Sequence, residues 1–268
     1  MAGSTYVIRG GAKGRERLRI LSRVMAPASH SALDRIGISP GAVCLDVGCG
    51  GGDMTLELAR RAGPNGRVVG IDFDEAKLEL ARSEAREQGV ENVEFRPANA
   101  NEPLGEGEFD LVYCRFILSH LPDPAGCLRR IHSALKPGGS LVAEDVDFAG
   151  HFSYPESDVF QRCAELYIQA VQSRGGDPLI GRRLPSLLMD AGFEQVGMNV
   201  VQLAGLQGEV KLIPPLTTES IAHSVLADQL ATPDELESLI SRLYEFVENP
   251  RTVVSLPRMV QAWGNCAS

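Results

Sequence analysis

The chain has 268 residues, 44% apolar and 23% charged, and a net charge of −9. That suits a globular protein with one large α/β domain and additions, or two small domains. The acidic balance excludes a general nucleic-acid binder, which needs a basic face to neutralise phosphates, and no apolar run approaches the ~18 residues of a membrane helix. The opening MAGSTYVIRGGAKGR lacks the apolar region of a secretory signal. The six cysteines form no CxxC pair. A reducing, cytoplasmic setting is therefore expected, with no zinc site and no disulfide framework.

Taken in chain order, residues 15–36 carry apolar positions at helical spacing, broken at Pro27, and predict two helices. GISPG is a turn, and AVCLDV (42–47) is an apolar run of strand length. DMTLELARRAG has the acidic start and glycine stop of a helix. GRVVGID (66–72) predicts a second strand, and a helix over 74–89 follows with Asp74 as its N-cap. Strands are expected at 92–98, 109–115 and 140–148, with a helix at 123–135 and a turn at KPGG (136–139). Later come helices at 157–175 and 181–192, a strand at 193–204, and mostly helix over 217–248, with Thr232 as a cap. TVVSLPRMVQAWGNC (252–266) reads as a strand that Pro257 makes an edge or an interrupted one.

Continuous apolar strands alternating with helices predict βαβ units, a parallel sheet covered on both faces, and hence a doubly wound α/β fold.

The stretch CLDVGCGGGD (44–53) places a glycine loop after the first strand. The dinucleotide spacing G-x-G-x-x-G fails in both registers, since its third glycine falls on Asp53 or Thr55. No Gly-Lys-Ser/Thr of a P-loop follows. Asp46 sits where a carboxylate repels a pyrophosphate held on bare N–H groups. S-adenosylmethionine fits better: it has no phosphate, and its ammonium and sulfonium favour an acidic neighbour. Asp72, 24 residues past Gly48, ends the second strand, where a carboxylate can accept from both ribose hydroxyls.

VCLDVGCGGGDMTLELA, VVGIDFDEAKLELAR, FDLVYCRFILSHLPDP and LKPGGSLVAEDVDF, in this order, resemble class I S-adenosylmethionine-dependent methyltransferases over about residues 40–150. More closely, they are similar to bacterial ubiquinone/menaquinone C-methyltransferases and related small-molecule O-, N- and C-methyltransferases. The resemblance implies a mostly parallel seven-stranded sheet whose last strand is antiparallel. It implies that Asp46, Gly48, Cys49, Gly50 and Gly52 line the methionine end of the cofactor. It implies ribose binding by Asp72, adenine packing by Phe73, and Asn99-Ala100 where relatives often have Asp-Ala. It places Arg115 beside the cofactor through its backbone carbonyl.

Candidate bases must lie beyond the carboxyl ends of the fourth and fifth strands. They are His120, Asp145 and His151. AEDVDF is a weak match to a metal site, and no metal is expected. Residues 1–36 are read as an N-terminal helical lid on a cofactor-binding domain over 37–268, with helical insertions at about 152–192 and 205–250. Tyr6, Phe152, Tyr154, Tyr167 and Met189 are candidates for the substrate wall. The expected activity is methylation of a small molecule, leaving S-adenosylhomocysteine, by a monomer or homodimer without nucleic-acid or membrane partners. The alternatives are a non-methylating reaction such as cyclisation in the same fold, or methylation of protein or RNA.

Overall fold

The computed structural model describes residues 12–267. Tyr6 lies outside the described residues. Helices are α1 (Ala12–Ile36), α2 (Asp53–Ala62), α3 (Glu75–Glu87), α4 (Pro124–Ala134), α5 (Asp158–Gln172), α6 (Leu184–Asp190), α7 (Ile213–Ala227) and α8 (Pro233–Glu248). Strands are β1 (Val43–Val47), β2 (Arg67–Asp72), β3 (Val93–Pro97), β4 (Phe109–Arg115) and β5 (Leu135–Asp147). They continue as β6 (Ser153–Tyr154), β7 (Glu194–Val201), β8 (Ala204–Gly205), β9 (Val253–Ser255) and β10 (Arg258–Asn265).

Seven strands form one sheet in the order β3-β2-β1-β4-β5-β10-β7. β1 to β5 pair in parallel, and β10 runs antiparallel to both β5 and β7. This is the doubly wound, mostly parallel sheet expected from the pattern. The order reverses between β1 and β4, so the crevice at their carboxyl ends is the natural ligand site.

Both faces of the sheet are covered. On one, Val112, Cys114 and Leu141 pack with Leu128 and Ile131 of α4 and Leu184 and Leu188 of α6. On the other, Leu111, Tyr113 and Val142 pack with Leu33 of α1 and Leu58 of α2. A third core joins α5, α7 and α8 through Phe160, Leu166, Ile221 and Leu243. The α6 segment packs into the sheet core.

Three local expectations are corrected. α1 is one helix with Pro27 inside it. Proline costs ~3 kcal/mol within a helix. Packing on both sides of the break offsets this, with Ile20 and Met25 against Ile213 and Leu256, and Ala32 and Leu33 against Cys44 and Leu58. KPGG is a bulged start of β5 rather than a separate turn, with the register shifting between Phe109 and Leu111 and Gly138 at φ 73°. Pro257 does interrupt the last strand, dividing β9 from β10, but β10 is no edge: eight residue pairs from Arg258–Asp147 to Asn265–Ser140 join it to β5. β7 is the edge.

The caps at Asp74 and Thr232 form as expected, accepting from Ala76 N–H and Glu235 N–H. All six cysteines are buried and free. Among the described residues no helix is long and apolar enough to cross a membrane.

Candidate active site

The glycine loop is stapled to β2. Gly48 and Cys49 both donate their N–H groups to Ile71 O, at 2.8 and 2.9 Å. Gly48 has φ 75°, and a Cβ there would lie 2.6 Å from Ile117 Cδ1. By contrast, a Cβ on Gly50 or Gly51 would meet nothing within 4 Å. These two glycines face open space. Gly52 has a different duty: a Cβ would strike Ala81 and Phe95, so it lets α2 approach α3 and β3. It does not line the cleft, contrary to expectation.

Asp46 lines the cleft from β1 and is 2% exposed. Thr55 donates its hydroxyl to Asp46 Oδ2 at 2.6 Å. Burial pushes the Asp46 carboxyl up to about 7, with the Thr55 bond opposing. Asp72 takes one loop N–H on each oxygen, from Gly50 and from Asp74, both at 3.0 Å. Each oxygen keeps a lone-pair site for a further donor. The Lys77 ammonium stands 4.0 Å from Asp72 Oδ1 and 5.5 Å from the centre of the Phe73 ring. Phe73 itself is 55% exposed beside Asp72.

The loop opens into a cleft of about 1420 Å³, open solvent at its mouth included. Leu21 and Met25 of α1, Phe160 and Tyr167 of α5, Ile213 of α7 and Leu256 wall its far side. One space thus joins an acidic glycine loop to an apolar chamber.

A family model described as a methyltransferase domain matches residues 38–179. The chain belongs to the methyltransferase-domain family. It is 34% identical over 151 residues to the demethylmenaquinone methyltransferase of Lactococcus lactis, covering 56% of each chain. It is 33% identical over 175 residues to the ubiquinone biosynthesis O-methyltransferase of Acinetobacter baumannii, covering 65% of this chain and 70% of that one. The chain thus spans little more than half the length of the first of these relatives. The 4+2 cyclase SpnF shares its fold at a TM-score of 0.57 and 20% identity, over 90% of this chain and 81% of that one.

The chain also holds a buried polar network that the sequence did not reveal. Ser29 of α1, Tyr113 of β4 and Gln261 of β10 all donate to the Glu144 carboxylate, at 2.6, 2.8 and 2.7 Å. Arg115 donates to Ser29 Oγ at 3.2 Å and to Asp53 Oδ2 at 2.5 Å. Burial acts to lower the Arg115 pKa, but Asp53, Tyr113 and Glu144 outweigh it and hold the guanidinium charged. Arg115 lines the cleft. The network's members lie far apart in the chain, so no local motif could announce them.

Of the three candidate bases, His120 and His151 line the cleft. Burial, then Arg17 and Lys77, push His120 down to about 4, which keeps its imidazole neutral near pH 7. His151 is held by Phe148 O at Nδ1 and by the Gln161 amide, 3.1 Å from Nε2. Asp145 does not reach the cleft. It is fully buried and accepts the N–H groups of Ser119 and Val146, at 3.0 and 2.8 Å. Asn99 and Ala100 also lie outside the lining. Asn99 is exposed, and its side-chain oxygen accepts from Asn101 N–H at 3.0 Å. Among the candidates for the substrate wall, Tyr167 lines the cleft, whereas Phe152, Tyr154 and Met189 are exposed away from it.

Proposed function

We propose that this chain binds S-adenosylmethionine on the glycine loop and methylates a small molecule held in the apolar chamber. One observation carries the reading: the open faces of Gly50 and Gly51, with Asp46 and Asp72 beside them, lead without a wall into that chamber.

The residues fit the cofactor. Space that no Cβ occupies lies over Gly50 and Gly51. Asp72 has the acceptor capacity for two ribose hydroxyls, and the exposed Phe73 ring stands next to it for the adenine. Asp46, Asp53 and Asp72 favour a ligand with two cationic groups, and Arg115 offers a donor to its carboxylate. Bound there, S-adenosylmethionine supplies an activated methyl group and leaves as S-adenosylhomocysteine.

The chain's own task is then positioning and exclusion of water. The apolar side chains of α1, α5 and α7 roof the chamber, so these segments act as the lid over the cofactor domain. His120 faces the cleft with a neutral imidazole whose pKa of about 4 suits accepting a hydrogen bond from the acceptor and orienting it rather than taking its proton outright. The names of the curated relatives, which methylate in menaquinone and ubiquinone synthesis, support a small-molecule acceptor.

The test is incubation with methyl-deuterated S-adenosylmethionine and a fractionated metabolite extract, read by mass spectrometry. A metabolite gaining a deuterated methyl group supports the proposal. Cofactor binding without any labelled product, while an unlabelled product forms, favours the non-methylating alternative.

A further inference from the structure

This inference rests on the methyltransferase reading and deepens it, by locating where the acceptor is held. Among the described residues, the serine and threonine hydroxyls of the cleft lining belong to Ser119, Thr217, Thr218 and Ser255. Three of them have a protein partner. Thr217 Oγ1 accepts from Arg17 Nε at 3.1 Å, and Ser255 Oγ accepts Phe152 N–H at 2.6 Å. Thr218 donates to Pro214 O at 3.0 Å. Ser119 differs: it is 1% exposed, and its hydroxyl makes no hydrogen bond.

Ser119 lies in a single helical turn, Leu118–His120, that follows β4. The backbone of this residue is held on both sides. Its N–H donates to Asp145 Oδ2 at 3.0 Å, and its carbonyl accepts Asp177 N–H at 2.9 Å. A Cβ on Gly176 would lie 2.4 Å from that carbonyl, so the 176–177 segment presses the turn against β5. Leu118 anchors the turn in the sheet core. The hydroxyl can therefore turn only about χ1. The Asp145 carboxyl feels it, but the Asp145 oxygens are aligned with the N–H groups of Ser119 and Val146. The hydroxyl proton stays unspent.

A buried hydroxyl without a partner is unfavourable, and a ligand that supplies the missing bond recovers the loss. The place suits a methyl acceptor. Ile117, two residues before Ser119, packs on Gly48 of the glycine loop, where a Cβ would lie 2.6 Å from Ile117 Cδ1. The turn is thus tied to the proposed cofactor loop, and Ser119 lines the same cleft as the apolar chamber. A lone hydroxyl with an acidic side chain behind it suits an uncharged oxygen rather than an anion.

We propose that Ser119 holds the acceptor: its hydroxyl donates to a carbonyl or hydroxyl oxygen of the small molecule to be methylated.

The test titrates diethyl ketone and pentane into the full chain, with and without S-adenosylhomocysteine, and follows the backbone amide signals by NMR. The two probes share a carbon skeleton and differ by one oxygen. Both are expected to shift signals of the cleft lining, and the ketone to move the Ser119 amide as well. Ser119→Ala removes the donor and little volume. It is expected to weaken ketone binding about fivefold and to leave pentane within about twofold, the scale of one hydrogen bond. Ser119→Cys, which puts a weak donor in place of a strong one, gives a second reading and is expected to change in the same direction. Ketone affinity unchanged in these variants, an equal loss for pentane, or no ketone binding at the turn would overturn the proposal. Failure of S-adenosylhomocysteine to bind tells instead against the methyltransferase reading, since both probes are also titrated without it.

Discussion

Arg115 and Asp53 form an ion pair 2.5 Å long that ties the end of β4 to the first turn of α2. The same Asp53 oxygen accepts the Ser22 hydroxyl of α1 at 2.7 Å. One carboxylate therefore holds the helix after the glycine loop, a central strand and α1 together. Asp53→Asn keeps the shape and removes the charge. It is expected to cost about 1–3 kcal/mol, the range for a charge-assisted bond to a largely buried partner. Chemical denaturation of the two proteins measures this. A change under a few tenths of a kcal/mol would show that the pair is not holding the helices.

Asp46 gives the proposed cofactor site a pH dependence. Its folded pKa of about 7 lies above the ordinary carboxylate value, so the folded state keeps a proton that the unfolded chain releases. The stability this group contributes is complete below about pH 4 and is lost as pH rises through about 7. A bound cation reverses the preference by favouring the carboxylate. Affinity for S-adenosylmethionine is therefore expected to rise between about pH 6 and pH 8, with proton release on binding. Calorimetry in buffers of different ionisation enthalpy reads both. A flat profile would remove Asp46 from the site.

Two glycines of the loop separate folding from binding. Gly48→Ala forces a Cβ to 2.6 Å from Ile117 Cδ1 at φ 75°, and is expected to cost about 1–3 kcal/mol of stability. Gly51→Ala meets nothing within 4 Å. Its melting temperature is expected to match the parent protein's while its cofactor affinity falls, because the methyl group takes the ligand's space. Unchanged affinity in Gly51→Ala would place the cofactor elsewhere.

Lys211 clasps the helical additions. It is 4% exposed, and its three N–H groups are shared among the carbonyls of Leu206, Asn249 and Thr252 and the Thr252 hydroxyl, at 2.8 to 3.1 Å. Lys211→Met strands those acceptors and is expected to cost about 2–3 kcal/mol. Hydrogen exchange should then quicken first near residues 249–252. Uniform exchange would mean the clasp is not local.

The sheet was legible because each buried strand is a contiguous apolar run between turn residues, as in VCLDV of β1 and RVVGID of β2. Caps such as Asp74 were legible for the same reason, since the signal is local. Contacts between distant segments were not. Pro27 reads as a helix break until Leu33 and Met25 are seen buried on opposite sides of it. Gly52 resembles a ligand-facing glycine until Phe95 is found against it. Asp145 and Glu144 both end an apolar strand as acids, and only the donors around them show that neither is a free base. Lys77 gave no signal at all, because its place beside Asp72 depends on how α3 leaves β2.

The central claim is that the loop at 48–52 holds S-adenosylmethionine through Asp72. It is tested most directly by calorimetric titration of the full chain and of Asp72→Ala with S-adenosylmethionine. The account predicts one site per chain in the parent protein and a loss of at least about tenfold in the variant, the scale of two hydrogen bonds to a charged group. No binding to the parent protein, or equal affinity in Asp72→Ala, would contradict it.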